Sequence, residues 1–303
     1  MKHSNPRNVL LLLLTAMIWG SAFVSQSVGM DYVGPFTFLA ARSYIGSAFL
    51  LGFLTVQTRM KAPEQRPADL VTGNRSARPL LIKAGICAGG VLFVASILQQ
   101  IGIAYTTVGK AGFLTAMYII FVPFISLVLF RKRLPRLIWI CVVLSVAGMA
   151  LLCLKESLSL STGDSLVLLC AVAFSGHILV LDFFTPQVDP VRMSCIQFLV
   201  CALLSTVPML LLEKPTWEVL LAAAPSILYA GVLSSGVAYT LQAVAQKDCD
   251  PTLASLVMCL ESVFSAVFGW VILHQALSLR EGVGCCLMFA AIALAQLPET
   301  NTQ

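Results

Sequence analysis

Few side chains in this 303-residue sequence can do chemistry within the apolar stretches that make up most of it. Glu261, Arg42 and His177 stand out, because each is an ionisable group inside such a stretch. A charge in that setting costs at least about 2.5–3.5 kcal/mol on insertion scales and marks a functional site by default. Glu261 lies about nine residues from the nearer end of its stretch, roughly 14 Å at 1.5 Å per residue. That depth is close to the middle of a hydrocarbon core about 30 Å thick.

Each of these groups has two interpretations. Glu261 is a candidate for binding a solute or carrying a proton, and the alternative is a neutral carboxyl that holds helices together. Arg42 is a candidate cation for an anionic group of a solute or for Glu261, and the alternative is a side chain that snorkels to the membrane interface. His177 can change charge near neutral pH, and the alternative is a buried neutral imidazole that is hydrogen-bonded to a hydroxyl.

Polar and aromatic residues also recur at helical spacing. Trp19 and Gln26 share one face of the first apolar stretch, and Tyr118 shares a face of the fourth with Thr115. Such faces are typical of an aqueous cavity with amphipathic walls, and the alternative is interhelical packing, worth about 0.6–2 kcal/mol per hydrogen bond. We add Trp19 and Tyr118 to the candidate residues, together with Gln99 and Gln242 as gating positions.

The composition decides which elements position these residues. Apolar residues make up 58% of the chain and charged residues 11%, and the mean hydropathy is +0.91, which excludes a soluble enzyme, a disordered chain and a nucleic-acid-binding protein. Ten apolar runs have the length of membrane-spanning helices, whereas barrel strands would be about ten residues long and alternating. The runs are 9–28, 35–57, 80–103, 111–130, 137–154, 165–184, 191–212, 222–243, 252–272 and 282–297.

The sequence lacks the motifs of several enzyme classes. It has no Walker-type phosphate-binding loop, no zinc-protease or serine-hydrolase signature and no paired Asp-rich motif. None of the ten cysteines forms a CxxC pair, so we interpret them as small apolar side chains. We therefore expect no enzymatic activity, no cofactor and no metal.

The basic residues predict the orientation. With the N-terminus in the cytoplasm, fourteen of the nineteen Lys and Arg residues fall on the cytoplasmic side, four on the other side, and Arg42 within a span. The net charge of +5 is therefore a topology signal rather than a sign of a nucleic-acid partner. Both termini are expected in the cytoplasm.

An internal repeat divides the chain into residues 1–155 and 156–303. Leu98-Gln99 recurs as Leu241-Gln242, and the same offset of 143 places Tyr118 on Glu261. Residues 16–21 match residues 171–176 at an offset of 155, and we expect kinks at the small residues Gly20-Ser21 and Ser175-Gly176 there. Each half holds five helices, so the two halves cross the membrane in opposite senses. This is the inverted-repeat architecture of secondary carriers, whose substrate site lies near the midplane between the halves.

Several motifs also resemble a known family, the drug/metabolite transporter superfamily and in particular its EamA-type ten-helix branch. The resemblance covers about residues 9–297. The motifs that carry it are Gly34-Pro35-Phe36-Thr37-Phe38 with Arg42, Gln99-Gln100-Ile101-Gly102, residues 109–115, Tyr118-Ile119-Ile120-Phe121-Val122-Pro123 and Leu260-Glu261 before Phe264.

The resemblance implies an all-α carrier of small metabolites in the cytoplasmic membrane, an exporter by analogy, whose partners are a small-molecule substrate and membrane lipid. The coupling stays open between proton antiport, exchange and no coupling, so protons are a candidate partner through Glu261. The resemblance also makes the fifth and tenth helices the outermost ones, so a homodimer would pair through them. The interpretations left open are a flippase for lipids or lipid-linked sugars, and a membrane sensor or an enzyme of unrecognised type. A carrier moves solute across a sealed bilayer, a sensor binds without flux and an enzyme changes the solute.

Overall fold

The computed structural model describes residues 5–60, 77–106, 108–131, 134–153, 161–273 and 278–295, and in these ranges the chain is helical with no strand. Most of the basic loop between the second and third predicted spans lies outside the described residues. The first half contains α1 (Pro6–Met30), α2 (Pro35–Met60), α3 (Ala77–Ile103), α4 (Val108–Thr115), α5 (Tyr118–Phe130) and α6 (Arg136–Cys153). The second half contains α7 (Thr162–Phe184), α8 (Pro190–Pro208), α9 (Trp217–Ala222), α10 (Ala224–Tyr229), α11 (Tyr239–Gln246), α12 (Pro251–Met258), α13 (Glu261–Leu273) and α14 (Leu279–Ala295).

Eight helical segments in the described part of the chain are long and apolar enough to cross a membrane. They include continuous stretches that join shorter helices, such as Ala111–Leu129 and Pro251–Phe268. Arg136–Leu151 is apolar but shorter. The prediction of a polytopic all-α membrane protein is confirmed, and the count of ten spans stays a prediction.

The two halves pack against each other along most of their length. α2 lies along α8, α3 lies between α7 and α8, and α1 packs on α13 and α11. The fifth and tenth predicted spans, α6 and α14, pack mainly on one another. We call the face of the bundle where α1 begins the N-terminal face, and the face that carries the α1–α2 turn the opposite face. The space between the halves is therefore the centre of the bundle.

Two spans are interrupted at matching places. The fourth breaks at residues 116–117, between α4 and α5, and the ninth breaks at residues 259–260, between α12 and α13. Both breaks tighten the backbone to i→i−3 hydrogen bonds, as in the bond from the Met117 N–H to Leu114 and that from the Leu260 N–H to Val257. The breaks are 143 residues apart, which is the repeat offset.

The kinks expected at the small residues of the first and sixth spans do not interrupt those helices. α1 and α7 run unbroken through Gly20-Ser21 and Ser175-Gly176. Gly20 instead allows α1 to approach α13 closely, because a Cβ there would lie 2.7 Å from the Glu261 carbonyl oxygen. The small residue therefore brings α1 against the start of α13, and the breaks lie in other spans.

The eighth span is distorted. Residues Ala230–Ala238 form a π-helical stretch between α10 and α11. The Ala238 carbonyl at its end accepts a hydrogen bond from the Thr15 hydroxyl of α1, at 3.2 Å. π-helical turns are frequent at functional sites, and this one directs Ser234 toward the centre of the bundle.

Candidate functional site

A cavity lined by residues of both halves lies between them. Apart from Trp19, each polar residue of the wall is at most 6% exposed, so the polar wall is buried inside the bundle. The residues that line the cavity are Trp19, Phe23, Gln26, Arg42, Gln99, Thr115, Tyr118, Phe174, Ile178, Ser234, Tyr239, Gln242 and Glu261.

Arg42 provides the cationic part of the wall. It lies about two turns into α2 and is 3% exposed, so it does not reach the membrane interface. Its Nη1 donates to the Gln26 side-chain oxygen at 2.9 Å, and the guanidinium lies 5.9 Å from the centre of the Phe38 ring. Its buried Nε has no hydrogen-bond partner. The guanidinium therefore keeps a free donor, and the structure shows it in no ion pair with Glu261.

Glu261 and Tyr118 form the acidic part of the wall, and each is the first residue of a helix that follows a break. The Tyr118 hydroxyl donates to Glu261 Oε1 at 3.0 Å. The residues that the repeat offset superimposes are thus in direct contact across the centre of the bundle. A carboxylate in the first turn of α13 also interacts favourably with the N-terminal end of the helix dipole.

Tyr239 connects the aromatic side chains of the site. Its ring centre lies 4.6 Å from that of Trp19 and 5.3 Å from that of Phe198. His177 lies 6.0 Å from the same ring, edge on. Tyr239 and Trp19 form an apolar wall suited to a flat or apolar part of a solute.

His177 is the one candidate residue that does not line the cavity. It is fully buried on α7, and its Nε2 lies 3.0 Å from the Gln197 side-chain oxygen of α8. The imidazole is buried, as in the alternative interpretation, but its partner is an amide oxygen and not the hydroxyl expected there. The other six candidates, Trp19, Arg42, Gln99, Tyr118, Gln242 and Glu261, surround the cavity.

Several buried polar atoms of the wall lack a protein partner. The Gln99 amide donates to the Thr115 hydroxyl at 3.2 Å, but Trp19 Nε1 and Gln242 Oε1 have no partner, like Arg42 Nε. Buried polar groups in native proteins are nearly always hydrogen-bonded to protein, water or ligand. Two free donors and a free acceptor around one cavity are therefore what a site for a polar solute requires.

Tyr239 and Ser234 are lining residues that sequence reasoning missed. Both lie in or next to the π-helical stretch, whose two glycines, Gly231 and Gly236, are the local signal that could have marked it. No three His, Cys, Asp or Glu side chains in the described ranges come together in a way that could hold a metal ion. The wall therefore offers hydrogen bonds, one cation, one carboxyl and aromatic surface.

Comparison with known proteins gives a consistent result. The model of the EamA-like transporter family matches residues 7–154 and again residues 161–297. An uncharacterized transporter of Archaeoglobus fulgidus is 26% identical over 94% of this chain and 84% of its own length. The uncharacterized transporter YoaV of Bacillus subtilis is 22% identical over 93% of this chain and 94% of its own.

A solved structure has the same fold. A crystal structure described only as that of a protein superimposes with a TM-score of 0.76, covers 96% of this chain and 97% of its own, and is 19% identical. The family model covers nearly all of this chain in two matches, one to each half. The chain therefore belongs to the EamA-like transporter family and is a multi-pass membrane transporter.

Proposed function

We propose that the protein is a secondary transporter that exports a small organic solute across the cytoplasmic membrane by alternating access. The observation that carries the proposal is the cavity between the halves, whose buried wall includes Arg42, Glu261 and the Trp19–Tyr239 pair. Helices broken at matching places in two halves are also typical of carriers that bind substrate at the break. The orientation with both termini in the cytoplasm rests on the distribution of Lys and Arg.

Arg42 and Glu261 have different roles in this proposal. Arg42 binds an anionic group of the solute through its free Nε donor, because a buried guanidinium attracts carboxylate or phosphate oxygens strongly. Glu261 is the proton carrier, and its Tyr118 partner orients it. The aromatic wall contacts the apolar part of the solute, and Trp19 Nε1 and Gln242 Oε1 supply further hydrogen bonds.

The cavity favours a soluble metabolite over the lipid that a flippase moves. A lipid keeps its acyl chains in the membrane while its headgroup crosses, so its headgroup path must be open to the lipid-facing surface. The polar residues of this cavity are instead buried inside the bundle. A transporter is favoured over an enzyme because the matching family and the relatives are described as transporters.

The test is loss of solute from proteoliposomes. Vesicles that contain the purified protein are loaded with a mixed pool of metabolites, and every solute is followed by mass spectrometry with and without a pH gradient. We expect one chemical class, carrying an anionic group, to leave selectively and faster with the gradient. Glu261→Gln protein should lose the response to the gradient, and Glu218→Gln protein, changed at an exposed carboxyl of α9, should keep it. If folded wild-type protein moves no solute, the proposal is wrong.

A further inference from the structure

A carboxylate of the second half caps a helix of the first half. Glu213 ends a π-helical turn, Met209–Glu213, that follows α8. Its Oε1 accepts a hydrogen bond from the Phe36 N–H at 2.9 Å, and its Oε2 accepts from the Thr37 N–H at 2.7 Å and the Thr37 hydroxyl at 2.6 Å. All three donors lie in the first turn of α2. Both carboxylate oxygens are therefore used at the N-terminus of a helix from the other half.

The other described helices that begin with proline are each capped by the side chain that precedes the proline. α1, α8 and α12 follow Asn5, Asp189 and Asp250, and each of these side chains accepts a hydrogen bond from an N–H in the first turn of its own helix. Asn, Asp, Ser and Thr are the usual residues at this place. At the start of α2 the same place is held by Gly34, which has no side chain, and the repeat offset of 155 pairs Gly34 with Asp189.

The glycine also makes room for the carboxylate. A Cβ on Gly34 would lie 2.3 Å from the Glu213 carboxyl carbon and 2.5 Å from Oε1. On the other side of the contact, Lys214 adopts a left-handed conformation with φ of 43°, which turns the chain after Glu213. The missing side chain at Gly34 and the left-handed turn at Lys214 together allow the Glu213 carboxylate to contact α2. Charge-assisted bonds of this kind are stronger than those between neutral groups.

The two kinds of cap respond differently to movement. A helix capped by its own preceding residue keeps the cap when the helix moves, whereas the cap on α2 persists only while the ends of α2 and α8 remain together. Arg42 lies five residues beyond Thr37, roughly 7.5 Å along the helix. The contact is therefore at the opposite face, next to the cationic part of the cavity.

We propose that Glu213 is a latch that holds the opposite face of the α2–α8 pair closed and thereby controls access to the Arg42 part of the cavity. The proposal rests on the proposed function, because alternating access requires the two halves to separate and rejoin at each face in turn. Release of the Glu213 carboxylate from Phe36 and Thr37 opens the opposite face, and rebinding closes it. Asp189, at the N-terminal face, provides no such contact between the halves, since it accepts from its own helix.

Hydrogen–deuterium exchange of the full chain in lipid nanodiscs tests the latch without any solute. Glu213→Ala removes the carboxylate. Gly34→Ala keeps it but places a methyl group where it binds. Glu213→Gln keeps the side-chain length and one acceptor oxygen. Glu218→Ala, at an exposed carboxyl of α9 on the same face, is the matched control. Loss of a helix cap, at about 1 kcal/mol, changes an equilibrium constant by roughly fivefold.

A latch predicts changes at both faces. In Glu213→Ala and Gly34→Ala proteins, hydrogen–deuterium exchange should rise about fivefold at residues 36–42. It should fall at residues 190–197 and 251–256 of the N-terminal face. The reason is that molecules open at the opposite face are closed at the N-terminal face, and the variants increase their share. Glu213→Gln should give smaller changes of the same signs, and Glu218→Ala none.

A cap that only stabilises α2 gives a different result. Exchange would then rise at residues 36–42 alone, with a lower melting temperature and unchanged exchange at the N-terminal face, and the latch would be wrong. It would also be wrong if no segment changed. The mixed-pool flux of wild-type protein decides the proposed function separately. If wild-type protein transports solute but the variants change hydrogen–deuterium exchange only at residues 36–42, the proposed transport function stands and the latch is wrong.

Discussion

The two charged parts of the cavity differ in the kind of charge they carry. Arg42 comes from the first half, and its guanidinium stays protonated in proteins and keeps an unpartnered Nε donor. Glu261 comes from the second half, and its carboxyl can gain or lose a proton and accepts from Tyr118. A permanent charge with a free donor is suited to holding a solute, and a group that changes charge is suited to coupling. Binding and coupling should therefore be separable by mutation.

Arg42→Ala is expected to have the largest effect. Removing one partner of a desolvated charge pair typically costs about 2–5 kcal/mol, so we expect affinity for an anionic solute to fall roughly 30-fold or more. The readout is the concentration dependence of solute exchange in proteoliposomes without a pH gradient. Arg59→Ala, at an exposed position near the end of the same helix, is the control and should behave as wild type. Unchanged affinity for both anionic and neutral solutes would remove Arg42 from the binding site.

Glu261→Gln should abolish coupling and spare binding. A pH gradient of one unit is worth 1.36 kcal/mol per proton, which moves a coupled solute to about a tenfold concentration ratio. We expect that ratio to fall to one in the variant, while exchange without a gradient continues. The check is accumulation in vesicles at several imposed gradients. Coupled transport retained by well-folded Glu261→Gln protein would exclude Glu261 as the proton carrier.

Tyr118→Phe should give a smaller effect of the same type. It deletes the one hydrogen bond that the structure shows to the Glu261 carboxyl and keeps the ring. A net hydrogen bond is worth about 0.5–1.5 kcal/mol, so gradient-driven flux should fall about three- to tenfold with gradient-free exchange unchanged. Equal losses in both assays would mean that Tyr118 contacts the solute rather than the proton carrier.

Trp19→Phe should have the smallest effect. The aromatic contact with Tyr239 is largely kept, and only the unpartnered Nε1 donor and part of the ring are lost. We expect a loss of affinity of about threefold, at the lower end of the range for one hydrogen bond. Titration of solute exchange in parallel with Arg42→Ala measures the difference. A Trp19→Phe effect as large as that of Arg42→Ala would mean that the aromatic wall, and not the cation, dominates binding.

Apolar length, the repeat offset and isolated charges predict much of this molecule. The offset of 143 pairs Tyr118 with Glu261, and the two side chains are hydrogen-bonded. Charge burial selects Arg42 and Glu261, and both line the cavity. These features depend on local residue types and on the length of the apolar runs, and both can be read from a single sequence.

Other features depend on packing between the halves. The breaks at residues 116–117 and 259–260 contain neither Gly nor Pro, so no local pattern predicts them. His177 shares the apolar setting of the other candidates but lies behind Tyr239, which only the fold reveals. The sequence does contain one sign of the Glu213 contact. Gly34, which cannot cap a helix with a side chain, precedes Pro35, whereas Asn5, Asp189 and Asp250 precede the prolines that begin the other three helices. The capping residue Glu213, however, lies 177 residues away from Phe36.

The most direct test of separate binding and coupling residues is solute exchange without a pH gradient. It is measured side by side for Glu261→Gln and Arg42→Ala proteins, with the solute that leaves the mixed-pool vesicles. Both proteins are reconstituted at equal density and checked for folding by their melting temperatures. We expect exchange near the wild-type rate for Glu261→Gln and little exchange for Arg42→Ala at the same solute concentration. Equal exchange rates in the two variants would contradict the division of the cavity into a binding part and a coupling part.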